Sequence, residues 1–360
     1  MFIEPKFPNS HNSENKNVYL SKARRLPPLL TALAILALIL LSVLWILPHI
    51  FAPAENTRTE ENAEENNWGQ AQEHTFTHGE QVLVKVGECP LFENSRARSK
   101  RVSTALYGER AEILELEGKM AKLRFADAFE AWATLQNISA DISAVDKANY
   151  RYKILVLSPY KSLMSHSING YPLFRAPMGS FLYADHDIAD ILRLRLTDGQ
   201  HAWISHQGVQ ILEPDEAVPV PDESAELFMS TAMNFKNSPY VPGGMSKEGA
   251  DMAGVLFIAA RINGLELPRD LNGQSKAGEE VAPVKNPETG YIRPELLEAG
   301  DVIFFRSPED KNKVDRAAII LEEGQALCHL TNGSTIQIKD LNRQNELLAE
   351  VLTIRRFFAE

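Results

Sequence analysis

A helix that is apolar nearly all round must be buried on every side, and residues 249–268, GADMAGVLFIAARINGLELP, read as such a helix. Asp251 is a good N-cap, and Asn263-Gly264 a good C-cap. Four short strand candidates with turn signals follow: GDVIFFR (300–306), RAAIILEEG (316–324), QALCHLTNG (325–333) and STIQIKDL (334–341). One buried helix followed by a run of strands implies an α+β domain, with the helix laid on an antiparallel sheet. Upstream, ELFMSTAMNFKN (226–237) has helical apolar spacing, so the domain is expected to span 225–360.

Two earlier blocks have a different texture. QVLVKV, STAL, RAEILELEG, MAKLRF and EAWATLQNI, within 76–140, are short β-rich segments punctuated by Gly, Asn, Asp and Lys. YKILVLS, YPLFRAP, ILRLRLTDG and HAWISHQGVQIL, within 151–212, repeat the theme. Such spacing predicts two small β-barrels. CPLF at 89–92 is echoed by YPLF at 171–174, and EAWATLQNI at 130–138 by HAWISHQGV at 201–209, which reads as an internal duplication. Trp132 and Trp203 can plug a small core or serve as ligand platforms, and the core is the expectation. The stretch TDGQHAWISHQGV resembles the late turn and strand of bacterial SH3-like domains, which flank cell-wall enzymes and bind peptidoglycan or pack against the enzyme. Ala131 and Ala202 stand where that family has Gly, and the first block lacks the Asp-Gly turn. The Pro- and acid-rich EPDEAVPVPDES, 213–224, reads as a linker.

Residues 29–47, LLTALAILALILLSVLWIL, carry no charge. As a helix rising ~1.5 Å per residue, the run reaches about 28 Å, the thickness of bilayer hydrocarbon. Lys22, Arg24 and Arg25 precede it, and Glu55, Glu60, Glu61, Glu64 and Glu65 follow. The charge order predicts a single-pass bacterial inner-membrane protein, with its N-terminus cytoplasmic and its bulk periplasmic. The alternative is secretion after signal cleavage near Ala54, at the small-residue site APA. Residues 1–27 then form a disordered cytoplasmic tail, 28–50 the transmembrane helix and 51–75 an acidic spacer. A net charge of −11 argues against a nucleic-acid partner. The two cysteines, Cys89 and Cys328, fit no metal spacing and are expected to be free and buried. No cofactor is implied.

Six motifs in order within 225–345 carry a second resemblance: SPYVPGG (238–244), GADMAG (249–254), LPRDLNGQ (267–274), LEAGDVIFF (297–305), RAAIIL (316–321) and CHLTNG (328–333). The region resembles the NlpC-type cell-wall cysteine peptidases, which are papain-like. The resemblance implies a thiolate at a helix N-terminus, a histidine base on a neighbouring strand and a third polar group orienting it. It also implies a peptidoglycan stem peptide as substrate, cut between D-glutamate and a diamino acid. This chain departs at the reacting groups. Met252 stands at the nucleophile position, and a thioether has no proton to lose. Arg316 stands at the base position and stays protonated. Ala253 replaces the small hydroxyl residue after the nucleophile, and Ser246 lies before the helix.

The orienting position falls on His329, or on Cys328 if no gap is allowed. Cys328 is expected to be apolar filler; the rival reading makes it a relocated nucleophile. The resemblance assigns Tyr240 and Asp251 to the free amino end of the stem peptide, although loop packing and helix capping account for both. Arg269 and Asp270 are expected to fix the loop after the helix, and Gly243 and Gly244 to permit a tight turn. The reading is therefore a degenerate, non-catalytic envelope protein that binds stem peptides or an envelope protein partner. The alternative is an active murein peptidase using non-standard residues.

Overall fold

The computed structural model describes residues 74–329 and 335–358. The expected tail, membrane span and nearly all of the acidic spacer lie outside the described residues. Among the described residues no helix is long and apolar enough to cross a membrane.

The first unit is one antiparallel sheet of seven strands: β1 (Gln81–Val84), β2 (Glu88–Phe92), β3 (Arg101–Leu106), β4 (Arg110–Glu117), β5 (Met120–Phe125), β6 (Glu130–Thr134) and β7 (Ile138–Ser139). The second repeats it with β8 (Tyr152–Val156), β9 (Tyr160–Met164), β10 (Pro172–Pro177), β11 (Phe181–Ile188), β12 (Ile191–Arg195), β13 (His201–Ser205) and β14 (Val209–Leu212). Their strand orders are β3-β2-β6-β5-β4-β1-β7 and β10-β9-β13-β12-β11-β8-β14, which is the same order moved on by seven strands. Each sheet gathers its inward residues into its own core, Val82, Leu91, Ile113 and Leu123 in the first, Ile154, Leu163, Leu182 and Leu192 in the second.

The common order bears out an internal duplication, but only one of the two sequence echoes marks it. The Ala-Trp echo falls on β6 and β13, which are equivalent. CPLF falls on β2 and YPLF on β10, the counterpart of β3, so that likeness is coincidental. The tryptophans also depart from expectation. Ala131 and Ala133 face the first core, as Ala202 and Ile204 face the second, so strand alternation sends Trp132 and Trp203 outward, where both are half-buried.

The third unit begins with α1 (Ser224–Met233), followed by a short hairpin of β15 (Met245–Ser246) and β16 (Gly249–Ala250). Then come α2 (Met252–Ile262) and α3 (Leu271–Gln274). A six-stranded antiparallel sheet follows, built from β17 (Glu279–Glu280), β18 (Val302–Arg306), β19 (Val314–Ile320), β20 (Gln325–Cys328), β21 (Gln337–Asp340) and β22 (Val351–Arg356). Its order is β17-β22-β18-β19-β20-β21. The four strands expected from the sequence are present. Two more were not expected: the two-residue β17, and β22, which has no turn signal after it yet pairs along β18.

Helix α2 is buried as its composition demands, with Val255 to Ala260 all at most 4% exposed. One sheet face, through Val302, Phe304, Ala317, Ile319 and Leu327, packs on α2. The other, through Ile303, Phe305, Ala318, Ile320, Ala326 and Cys328, packs on the C-terminal turns around Leu341 and Leu348.

The three units share contacts that fix them to one another. Leu106 of β3 and Met178, just after β10, belong to the same core cluster as α2. Arg269, its side chain 3% exposed, reaches into the first unit. Its Nε donates to Asp127 at 2.6 Å, Nη1 to the Thr104 carbonyl at 2.9 Å and Nη2 to Glu109 at 2.8 Å. Arg261 of α2 donates to the other oxygen of Glu109 at 2.6 Å. The Arg269 guanidinium also lies 4.8 Å from the Phe125 ring centroid and 4.9 Å from that of Phe257. Arg269 therefore does more than fix its own loop; Asp270 does that locally, as N-cap of α3. The expected linker is pinned as well. A side chain at Gly264 would lie 2.7 Å from the carbonyl oxygens of Val218 and Pro219, so the linker backbone runs directly against the C-terminal end of α2.

Candidate functional site

The site is built around the N-terminus of α2. Asp251 is extended, and both of its carboxylate oxygens serve the chain itself. Oδ1 accepts from the Gly254 N–H at 2.8 Å, and Oδ2 from the Gly243 N–H at 2.6 Å. One side chain thus caps the helix and ties the preceding turn to it. Burial pushes the Asp251 carboxyl up, against the pull of these N–H groups and of the Arg101 guanidinium. The turn passes very close to the helix. A methyl group on Gly254 would lie 2.1 Å from the Gly244 carbonyl oxygen, and Gly243 has φ +66°.

Met252 is the first residue of α2, where the resemblance requires a nucleophile. It is 3% exposed and belongs to the core cluster with Val255, Leu256 and Leu327. The helix N-terminus, which would stabilise a thiolate, is filled by a thioether that packs as core.

The strands around it sort the other candidates by face. Arg316 stands directly opposite Phe305, and Phe305 lies in the cluster on the sheet face away from α2. Arg316 accordingly turns from Met252; its Nη2 donates to the Arg306 carbonyl at 2.9 Å and its Nε to Asp315 at 2.9 Å. A register shift here leaves Asp315 as the extra residue between Val314, which packs on the α2 side, and Arg316. The exposed Asp315 acts electrostatically on Tyr240, whose hydroxyl is pushed up by burial and further by Asp251 and Asp315.

Cys328 pairs with Ala318 on the far face and is 1% exposed, and burial pushes its thiol up to about 12. It is filler, as expected, and on the wrong face for a relocated nucleophile. The next residue, His329, falls on the α2 side and stacks on Tyr240, with ring centroids 3.7 Å apart and planes within 4°. Tyr240 itself is 39% exposed, and its backbone bridges to Ala250. Ser246 is 1% exposed within the short hairpin. Thus Met252, Asp251, Tyr240 and His329 converge, while Arg316 and Cys328 do not join them.

Sequence reasoning missed one wall of the site. Strand β3 of the first unit lies against the Gly243 turn, and Thr104 Oγ1 donates to the Gly243 carbonyl at 2.6 Å. Arg101 donates through Nη2 to the same hydroxyl. No local motif announces these residues, because the contact joins positions more than a hundred residues apart.

The six ordered motifs lie within the region that comparison with known proteins matches. Residues 237–351 fit the model of the NlpC/P60 family. These residues form an NlpC/P60 domain. The gamma-D-glutamyl-L-lysine dipeptidyl-peptidase of Bacillus subtilis is 30% identical over 155 residues, 42% of this chain and 48% of the relative, so the chain spans about half the length of that protein. A protein of the same name from Bacillus cereus is 22% identical over 252 residues, 68% of this chain and 72% of the relative. The crystal structure of an NlpC/P60 family protein from Bacillus cereus superposes with a TM-score of 0.65 at 19% identity, covering 78% of this chain and all of that one. That likeness concerns the fold, and it extends beyond the NlpC/P60 domain into the two seven-stranded units. Within the NlpC/P60 domain, the helix, its cap and the glycine turn are in place, and Met252 stands where the resemblance assigns the nucleophile.

Proposed function

We propose that this protein is a non-catalytic cell-envelope protein whose NlpC/P60 domain serves as a binding module. Its ligand is a peptidoglycan stem peptide or an envelope protein partner, the two seven-stranded units are SH3-like, and residues 29–47 anchor it in the inner membrane. The observation that carries the reading is Met252, a buried thioether at the helix N-terminus. No thiol faces that point among the described residues, since Cys89 lies in the core of the first unit and Cys328 on the far face of the sheet. Removing a hydrolase nucleophile costs on the order of a millionfold in rate, by analogy with the serine enzymes. Filling of the helix mouth by Met252 favours a protein partner over a peptide threaded to that depth.

The test is incubation of the 55–360 fragment with stem peptides and muropeptides. Saturable binding without product is expected; product formation abolished by Cys328→Ala would return the chain to the active peptidases, the class to which the named relatives belong. A gain-of-function pair sharpens the geometry. Met252→Cys with Asp315→His puts the imidazole at the residue that acts electrostatically on Tyr240, beside the start of α2, and is expected to yield measurable hydrolysis. Met252→Cys with Arg316→His, whose histidine sits on the far face, is expected to stay inert. The reverse ranking would refute the assignment of faces.

A further inference from the structure

Away from the cleft, the first seven-stranded unit carries an open groove of about 520 Å³ between the β2–β3 loop and the β4–β5 turn. Its apolar lining is Phe92, Ala97 and Met120, and its charged lining is Arg96, Arg98 and Lys119 against a single acid, Glu117. Glu117 is already engaged by the Ser95 hydroxyl. The three cations are exposed, and none makes a salt bridge among the described residues. Arg98 is held at φ +66°, an uncommon conformation for a residue with a Cβ. Trp132, turned outward, stands opposite Phe92 on the same sheet face.

The duplication supplies an internal comparison. At the equivalent place in the second unit, the β9–β10 loop (165–171) reads SHSINGY and has no lysine or arginine. The turn that matches Gly118-Lys119 is Ala189-Asp190, with Asp190 exposed. One scaffold therefore carries a cationic groove in one copy and a neutral to acidic surface in the other, so the fold does not require the charge. The chain as a whole is acidic, at −11, which makes this concentration of unpaired cations local.

We propose that this groove is a second binding site, specific for short acidic peptides. Guanidinium forks at Arg96 and Arg98 match planar carboxylates, with Lys119 as a further point charge. The Phe92 and Met120 floor takes the aliphatic carbons between those carboxylates, which a bare phosphodiester chain lacks. The site is independent of what the NlpC/P60 cleft binds.

The test is calorimetric titration of the 55–360 fragment with a synthetic Leu-Glu-Leu-Glu peptide at low and physiological salt. Saturable binding that weakens with salt is expected, with the Leu-Gln-Leu-Gln control at least about tenfold weaker. Arg96→Ala with Arg98→Ala is expected to weaken binding about tenfold, as for the loss of two exposed ion pairs. The single charge reversal Lys119→Glu should act in the same direction, while Tyr240→Ala in the cleft should leave affinity unchanged. Binding unaffected by the groove variants, loss on Tyr240→Ala, no saturation at millimolar peptide, or equal competition by a glycerol-phosphate polymer would each overturn the proposal.

Discussion

At the scale of single residues, Glu109 bears the heaviest electrostatic demand. Its carboxylate is buried between Arg269 and Arg261. Burial pushes its pKa up, but the two guanidinium groups outweigh that and hold it below the ordinary glutamate value of 4.5. A lowered folded-state value means that the stabilisation is present above about pH 4.5 and is lost as pH falls further. Glu109→Gln leaves two guanidinium groups facing a neutral amide and is expected to cost about 3 kcal/mol at pH 7. Urea denaturation at pH 7 and at pH 4 checks both statements: wild type should lose stability between the two, and the variant should lose measurably less. None of this was legible in the sequence. Arg269 was visible only as part of a loop motif, and its partners sit about 160 and 140 positions upstream. Asp251 was legible, because a cap acts on the residues immediately after it. Asp315 was not, because the register shift that gives β19 an extra residue has no sequence mark.

At the scale of elements, the junction of the glycine turn with α2 is the tightest place in the site. Gly254→Ala drives a methyl group to 2.1 Å from a backbone carbonyl that cannot rotate aside. It is expected to cost about 1–3 kcal/mol and to shift the start of the helix, seen as a lowered Tm and altered amide shifts for Gly243 and Asp251. Helix α2 and four strands of its sheet could be read from the sequence because their signals are local: a cap at each end, apolar runs and turn residues. Strand β22 escaped because its VLTIRR ends in no turn residue, and its place beside β18 is set by pairing alone. The duplication of the first two units could be read from the Ala-Trp echo, yet their strand order and the direction of Trp132 and Trp203 could not. Burial of the alanines on either side decides which face is core, and a bulky aromatic next to them suggests the opposite.

At the scale of the molecule, the three units behave as one body held by apolar and ionic contacts across their boundaries. A 225–360 fragment would leave Arg269 and Arg261 without Glu109, and would strip Leu106 and Met178 from the cluster around α2. That fragment is expected to be insoluble or to unfold non-cooperatively, whereas the 74–360 fragment should melt in one transition by calorimetry. Two separate transitions in the longer fragment would contradict a shared core. A gene segment cut at the Pro-rich linker would encode an NlpC/P60 domain lacking two of its own core side chains, Leu106 and Met178. The Pro-rich stretch is therefore no seam at which this body divides, because its backbone lies directly against the end of α2.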